Sequence, residues 1–364
     1  MALLDDVRVV DLSVARGQLC ARVLADLGAD VVRVVAADAD PPTLSNVYRN
    51  ANKRVLTLDL HDARARDRLH ELLRGADLLV ESFDPGELAA IDDALDPVAL
   101  ATRYPHLVVT SITAFGLTGP YRDHASSELV LQAVGGSLFR AGSAARPPCA
   151  APGSYASDIA GATAALGSLL ALRQARASGR GQHIDVAAIE ALAHCTDWAL
   201  PLWSVLGTDQ QRAGAPLYPL FPCADGLVRL VLPMTMRDWW SLYHWLDAPE
   251  LAGRTPTFPG MPVEERQFVC DLVARAFAGR TRMDLTRAAL DAGVAVTPVL
   301  LPGEVLTNEH AVSRGLGIDI GLPDGRRGLA PAGFYSVDGE RAGIRTPATP
   351  ITAAPDWTPR PAPV

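Results

Sequence analysis

Two carboxylates stand where the surrounding residues could put them to chemical use. Asp158 lies in Ser154-Tyr-Ala-Ser-Asp-Ile-Ala-Gly161, at the head of a long apolar run. An aspartate there is a natural helix cap, because it accepts backbone N–H groups and complements the positive end of the helix dipole. The same placement suits a carboxylate nucleophile, which could attack an activated acyl carbonyl such as a thioester. The residue types leave both readings open, and the cap is the commoner fate of such a residue. Glu128, in Ser126-Ser-Glu-Leu-Val-Leu-Gln-Ala-Val-Gly-Gly136, also leads an apolar segment. It could cap that segment, or line a pocket whose low polarity tunes it for proton transfer.

Other candidates are less specific. Ala114-Phe-Gly-Leu-Thr-Gly-Pro-Tyr121 follows a strand-like run. Loops at the carboxyl ends of parallel strands hold ligands in doubly wound folds, but alone this is a Gly/Pro turn. Asn50-Ala-Asn-Lys-Arg54 groups two cations with two amides. They could hold a phosphate or an adenine edge, or form a solvated turn. His183 and His194 lack a serine or cysteine elbow and read as structural. Cys20, Cys149, Cys195, Cys223 and Cys270 never form a CxxC pair, and the eight histidines are dispersed. No metal site is expected from such spacing. Reduced thiols, with no secretory signal at the N-terminus, suit a cytoplasmic protein.

These side chains need a scaffold. Short β-branched runs at Val7–Leu12, Asp30–Val35, Val55–Leu60, Asp77–Glu81, Leu107–Ile112 and His183–Val186 alternate with helical segments such as Gln18–Leu27 and Ala63–Arg74. Near-continuous apolar strands separated by helices predict a Rossmann-like, doubly wound parallel sheet. Only Gly17 follows the first strand, so the dinucleotide fingerprint is missing and NAD chemistry is disfavoured. A helix is expected over about Ser157–Ala177, buried on most faces and stopped at Gly179-Arg-Gly181. A Gly/Pro-rich linker at Thr208–Pro222 leads to a smaller α/β module. Its elements are a hairpin at Asp225-Gly226, helices at Arg237–Leu246, Val263–Ala278 and Arg282–Ala292, and a strand at Val294–Leu300. Trp239, Trp240 and Trp245 sit at helical spacing and read as core of that module. The Pro-rich tail, Ile344–Val364, is expected to run extended over a surface. These shifts divide the chain into 1–207, 208–314 and 315–364.

The 364 residues are 49% hydrophobic and 20% charged, as for a globular chain with a large core. The net charge is −8 with no basic run, which excludes nucleic acid as a main partner. No apolar stretch approaches the roughly 18 residues of a membrane span, so no membrane partner is expected. Of the 33 basic residues only Lys53 is a lysine.

In order, the motifs Val7-Arg-Val-Val-Asp-Leu-Ser13, Leu24-Ala-Asp-Leu-Gly-Ala-Asp-Val-Val32, Asn52-Lys-Arg54 with Leu58-Asp-Leu60, Ala76-Asp-Leu-Leu-Val-Glu81 with Phe83 and Pro85-Gly86, Phe115-Gly116, Thr118-Gly-Pro-Tyr121, Asp158-Ile-Ala-Gly161, Gly179-Arg-Gly-Gln182 and Pro222-Cys-Ala-Asp-Gly226 resemble the family III CoA-transferases. That group includes formyl-CoA transferase, carnitine CoA-transferase and alpha-methylacyl-CoA racemase. The resemblance implies a Rossmann-like domain with an inserted smaller domain, and an interlocked homodimer. It implies a CoA thioester as substrate with no permanently bound cofactor, and exchange of CoA with a carboxylic acid. Asp158 matches the nucleophile that forms a mixed anhydride and then an aspartyl-CoA thioester, and Glu128 matches an active-site carboxylate. CoA is expected against Ser13, Gly17, Asn52, Lys53, Arg54, Ser82, Phe83, Phe115, Gly116 and Gly214.

Departures from the pattern fall in the expected nucleotide site. Arg33-Val-Val-Ala-Ala-Asp-Ala-Asp-Pro-Pro42 lacks an arginine where the family carries one, and Ser82-Phe-Asp-Pro-Gly86 replaces Asn-Phe-Arg-Pro-Gly. A charge-assisted hydrogen bond to a phosphate contributes about 1.5–3 kcal/mol, so each missing cation weakens CoA binding by about that much. A carrier-protein or pantetheine thioester is therefore an alternative to free CoA, and a non-catalytic scaffold is a further one. Racemase chemistry needs a His–Asp pair, and this chain reads Ser127-Glu128, with His124 three residues too early.

Overall fold

Six β-branched runs, each followed by an amphipathic or small-residue helix, build the larger of two compact units. The computed structural model describes residues 3–36, 43–142, 145–196, 199–207, 219–254, 261–322 and 324–361. One unit comprises Met1–Ala141, Cys149–Asp209 and Leu306–Val364; the other comprises Gly142–Pro148 and Gln210–Val305.

In the larger unit the order is β1 (Arg8–Leu12), α1 (Gln18–Asp26), β2 (Asp30–Val35), α2 (Leu44–Asn50), β3 (Arg54–Thr57), α3 (Ala63–Gly75), β4 (Leu78–Glu81), α4 (Glu87–Ile91), α5 (Pro97–Arg103), β5 (Val108–Thr113), α6 (Glu128–Val134), α7 (Ser137–Arg140), α8 (Tyr155–Ser178), β6 (His183–Ala187), α9 (Ala188–His194) and α10 (Ala199–Leu206). The strands lie in the order β3-β2-β1-β4-β5-β6, all parallel. Strand order therefore reverses between β1 and β4. In open α/β sheets the crevice at such a reversal, beyond the carboxyl ends of the strands, is where ligands bind. One face of the sheet packs Val9, Val31, Leu78 and Val108 against α1, α8 and α9. The other packs Val10, Val32, Leu79 and Val109 against α3 and α5.

Helix α8 corrects two expectations. It buries Ala156, Ala160, Gly161, Ala164, Ala165, Ser168, Ala171 and Leu172 on one face only. The opposite face exposes Leu166 and Leu170, 61% and 58% accessible. By length and composition alone α8 could also cross a membrane; its small-residue stripe instead packs on the sheet and α1. Gly161 explains the closeness of that contact. A Cβ there would lie 2.9 Å from Leu19 Cβ and 3.2 Å from the Cys20 backbone nitrogen. Gly181 does similar work at the far end, where a Cβ would lie 2.0 Å from the Leu107 carbonyl oxygen.

The smaller unit holds an antiparallel sheet, β7 (Leu220–Cys223), β8 (Gly226–Leu230) and β9 (Val296–Pro298), with helices α11 (Met236–Leu246), α12 (Val263–Phe277) and α13 (Arg282–Asp291). Its core centres on Trp239, Phe277, Val269 and Leu285. Trp245 packs its edge on Phe277. Trp240 departs from the core reading, since it is 46% exposed and stacks on His244.

After two hairpins, β10 (Gly317–Gly321) with β11 (Arg327–Pro331) and β12 (Tyr335–Val337) with β13 (Glu340–Ala342), the chain adds β14 (Thr349–Ile351) in parallel beside β3. Trp357 then caps the second core and donates its indole N–H to Asp30 Oδ2 at 2.9 Å. The tail is thus extended, as its prolines predict, but one stretch of it is the seventh strand of the main sheet.

Candidate active site

The reversal between β1 and β4 gathers several residues singled out from the sequence. Ser13 follows β1, Gly17 precedes α1 and Ser82 follows β4. A Cβ on Gly17 would lie 2.8 Å from Ser13 Cβ and 2.9 Å from Ser82 Cβ, so only glycine lets the three backbones meet. Ser82 Oγ accepts from the Val14 N–H at 2.9 Å and ties the two loops together. Phe83 follows, and its N–H donates to Glu81 Oε2 at 3.0 Å. Burial pushes the Glu81 carboxyl up to about 7, outweighing the bonds from Ser111 and Phe83. Phe83, Asp84, Pro85 and Gly86 line a cavity of about 130 Å³ with Leu117 and Arg122, a cation the sequence reading did not single out.

The head of α8 shows which acid caps it. Neither Ser154 nor Asp158 caps this helix with its side chain. Glu128 of α6 does so from outside: its Oε1 accepts the Ala156 N–H at 2.6 Å, and its Oε2 accepts the Ser157 N–H at 3.3 Å and the Ser157 hydroxyl at 2.9 Å. A carboxylate on these otherwise unpaired N–H groups is favoured by both hydrogen bonding and the helix dipole. Gln132 Nε2 donates to the same Oε1 at 3.2 Å. The capping role expected of either acid thus falls to Glu128, on a helix other than its own.

Asp158 is thereby freed from capping. Its backbone N–H bonds the Ser154 carbonyl at 2.7 Å, as an ordinary first-turn residue does. Its carboxylate forks with Arg49, which donates Nη1 to Oδ1 at 2.5 Å and Nη2 to Oδ2 at 2.9 Å. The Asp158 side chain is 40% exposed and that of Arg49 is 10% exposed, so a molecule reaching the pair meets the carboxylate first. Arg49 sits in the last turn of α2, 109 residues from Asp158 in sequence. No local motif signals such a pairing, and sequence reasoning missed it.

Arg49 adjoins the Asn50–Arg54 segment, whose cations and amides suggest a phosphate site when read as sequence. Lys53 is 1% exposed. Its ammonium donates to Asp11 Oδ2 at 2.8 Å, the Gln18 carbonyl at 3.2 Å and Asn50 Oδ1 at 3.2 Å, which satisfies all three protons. Asn50 ends α2 beside Arg49, so Lys53 ties the arginine's helix to β1 and α1. Burial drives the Lys53 ammonium down to about 8, with Arg33 adding to that against the pull of Asp11. Burial also opposes ionisation of Asp11, but Lys53 and Arg33 outweigh it and hold its carboxyl below the usual range. Ser13 completes the cluster with a hydroxyl donated to Asp11 Oδ1 at 2.5 Å.

Asn52 adopts φ 65° and pins the returning C-terminal segment. Its Nδ2 donates to the Gly343 carbonyl at 2.9 Å, and its Oδ1 accepts the Arg345 N–H at 2.7 Å. Arg54 pairs with Asp30 and lies over the Trp357 ring. Asn52, Lys53 and Arg54 therefore form internal bonds of the fold in this structure, and Lys53 presents no ammonium to solvent. Phe115 is buried with its ring against Tyr121 and His124, and Gly116 turns at φ 92° with its N–H on Thr113 Oγ1. These two do not join Asp158 through any hydrogen bond among the described residues. Gly214 lies outside the described residues. His183 bonds Ser111 Oγ at 2.9 Å, consistent with a structural role.

The chain as a whole is similar to known proteins. The sequence profile of CoA-transferase family III matches residues 4–354. A protein named probable CoA-transferase from Mycobacterium tuberculosis is 34% identical over 371 residues, covering 94% of this chain and 46% of its own length, so the chain spans about half of that relative. A succinyl-CoA:(R)-benzylsuccinate CoA-transferase subunit from Thauera aromatica is 34% identical over 335 residues, covering 84% of this chain and 81% of its own. The crystal structure of a CAIB/BAIF family protein from Brucella suis superposes with a TM-score of 0.81 at 26% identity, covering 96% of each chain.

Proposed function

This chain belongs to CoA-transferase family III, and from that premise we propose that it moves CoA between an acyl-CoA thioester and a carboxylic acid through a covalent intermediate on Asp158. The observation that carries this is the division of labour at α8. Glu128 takes the capping role, which leaves the Asp158 carboxylate part-exposed and oriented by a single guanidinium.

The reaction balances without a net proton. An Asp158 oxygen bonds to the thioester carbonyl carbon, the C–S bond breaks, and the electron pair leaves with the CoA thiolate. That thiolate attacks the aspartyl carbon of the resulting anhydride and releases the donor acid as its carboxylate. The acceptor carboxylate then attacks the aspartyl-CoA thioester and frees the thiolate again. Attack of the thiolate on the acceptor's acyl carbon regenerates Asp158 and delivers the new acyl-CoA. Splitting one difficult exchange into acyl transfers is the gain of covalent catalysis.

Racemase chemistry is the weaker reading. It needs a base on each side of the substrate's α-carbon. The partner of Asp158 is an arginine, which carries no acceptor and does not deprotonate, and His124 is stacked on Tyr121 with centroids 4.9 Å apart. For assembly we propose the family's homodimer. The exposed Leu166 and Leu170 of α8, with Leu200, Trp203 and Leu206 of α10, form apolar faces suited to a second copy.

The test is direct transfer. Purified protein is given succinyl-CoA with a panel of carboxylic acids, and new CoA esters are separated chromatographically. Transfer is expected, and Asp158→Ala should reduce it to background. Full transfer by the variant would remove the nucleophile. Turnover only of carrier-bound or pantetheine thioesters would shift the donor class, and no turnover of any would favour a scaffold.

A further inference from the structure

We propose that Arg49 is the residue that binds the acceptor's carboxylate, and that the covalent step on Asp158 releases it for this purpose. The inference rests on the aspartyl reading above and adds the identity of the acceptor site.

The argument is one of charge. In the resting protein both terminal nitrogens of Arg49 are bonded to Asp158, and Nε donates to Ser45 Oγ at 3.1 Å. Once Asp158 Cγ is bonded to an acyl oxygen or to sulfur, its oxygens carry no net charge. The negative charge has left with the thiolate and then with the donor's carboxylate. Arg49 remains protonated, because a guanidinium does not titrate in this range. It is then a nearly buried cation, 9% exposed, whose fork has lost its anion. A buried cation without a counterion is strongly disfavoured, so the intermediate favours entry of a new anion at that fork.

The anion that fits is a carboxylate. The fork is planar and was occupied by the aspartyl carboxylate, so an acceptor acid can bond in the same plane. Held through one oxygen, it presents the other to Asp158 Cγ. There an O–C bond forms as the C–S bond breaks, with the electron pair leaving on sulfur. Regeneration of the Asp158 carboxylate in the last step restores the original pair and displaces the acceptor's acyl group. The acid therefore has little affinity before loading and gains it after loading, which orders the two substrates without a moving lid.

Asp158→Asn imitates the loaded, uncharged side chain without any acyl donor. Calorimetric titration with succinate compares the wild type, Asp158→Asn, and the double variant Arg49→Gln/Asp158→Asn. Asp158→Asn should bind succinate about tenfold or more tightly than the wild type, the gain expected from a charge-assisted fork. The double variant, which contains neither charge and leaves none unpaired, should lose that gain. The idea is overturned if Asp158→Asn binds no more tightly than the wild type, if the double variant keeps the affinity, or if inorganic phosphate binds Asp158→Asn better than succinate does. A kinetic arm does not depend on the folding of Asp158→Asn. Arg49→Lys should raise the acceptor's KM about tenfold or more, a larger change than any in the rate of donor-only loading of Asp158; an unchanged KM overturns the assignment. Failure of the wild type to load at all would instead remove the nucleophile, and the succinate comparison would then judge Arg49 by itself.

Discussion

Replacing Lys53 with methionine separates a lysine that holds the fold from one that holds a phosphate. The side chains of Lys53 and Asp11 are both fully buried and joined at 2.8 Å. Removing one partner of a buried pair costs about 3–5 kcal/mol. Arg33, 3.3 Å from the same carboxylate oxygen, still neutralises part of Asp11, which places the cost near the low end, about 3 kcal/mol. With a urea slope of about 1–3 kcal/mol per molar, Lys53→Met should lower the unfolding midpoint by about 1 M or more. The Asn50 amide loses its ammonium donor, so kcat should fall as Arg49 loosens while KM for the acyl-CoA changes less. Chemical labelling can read the same residue, because Lys53 is the only lysine. Burial drives its amine down to about 8, which favours the reactive free base more than in an exposed lysine. An amine-acylating reagent should nevertheless leave Lys53 unmodified in the native protein and reach it only after unfolding. Rapid modification of Lys53 in the native state, or an Lys53→Met variant of unchanged stability with a raised KM for acyl-CoA, would refute this reasoning.

Other outcomes follow from the same structure. Glu81 binds its proton more tightly when folded, about 7 against an ordinary 4.5, so its contribution is fully present below about pH 4.5 and is lost as pH rises through 7. The stability lost across that window is on the order of 3 kcal/mol, and Glu81→Gln should flatten the slope in pH-dependent melts. Gly181→Ala would drive a methyl into the Leu107 carbonyl and should yield little soluble protein, whereas Gly279→Ala, with nothing within 4 Å of the added carbon, should be tolerated. Glu128→Ala leaves the Ala156 and Ser157 N–H groups uncapped and should cost about 1–2 kcal/mol in thermal unfolding, with a loss of activity as the α8 head shifts.

The sheet and its helices were legible because period and punctuation are local. Asp30–Val35 and Ala63–Arg74 match β2 and α3 to within a residue. The glycines that end or thin α8 were visible as motifs, but their reason, close packing on Leu107 and Leu19, needs the fold. The burial of α8 was overstated because alanine and leucine composition says how apolar a helix is, not which faces other elements cover. At the site, Asp158 and Glu128 were found as isolated acids at helix heads, but the roles differ: the cap comes from a second helix. The burial of Lys53 was not legible, because sequence gives residue type and not depth. Arg49 left no trace at all, since a pairing across 109 residues has no local signature.

The central claim is that Asp158 carries the acyl group. Incubating the wild type with an acyl-CoA donor and no acceptor, quenching with hydroxylamine, and mapping the peptides by mass spectrometry tests it most directly. The account predicts a hydroxamate at Asp158, formed only when donor is present. A hydroxamate at another carboxylate such as Glu128, or turnover with no modification at Asp158, would contradict it.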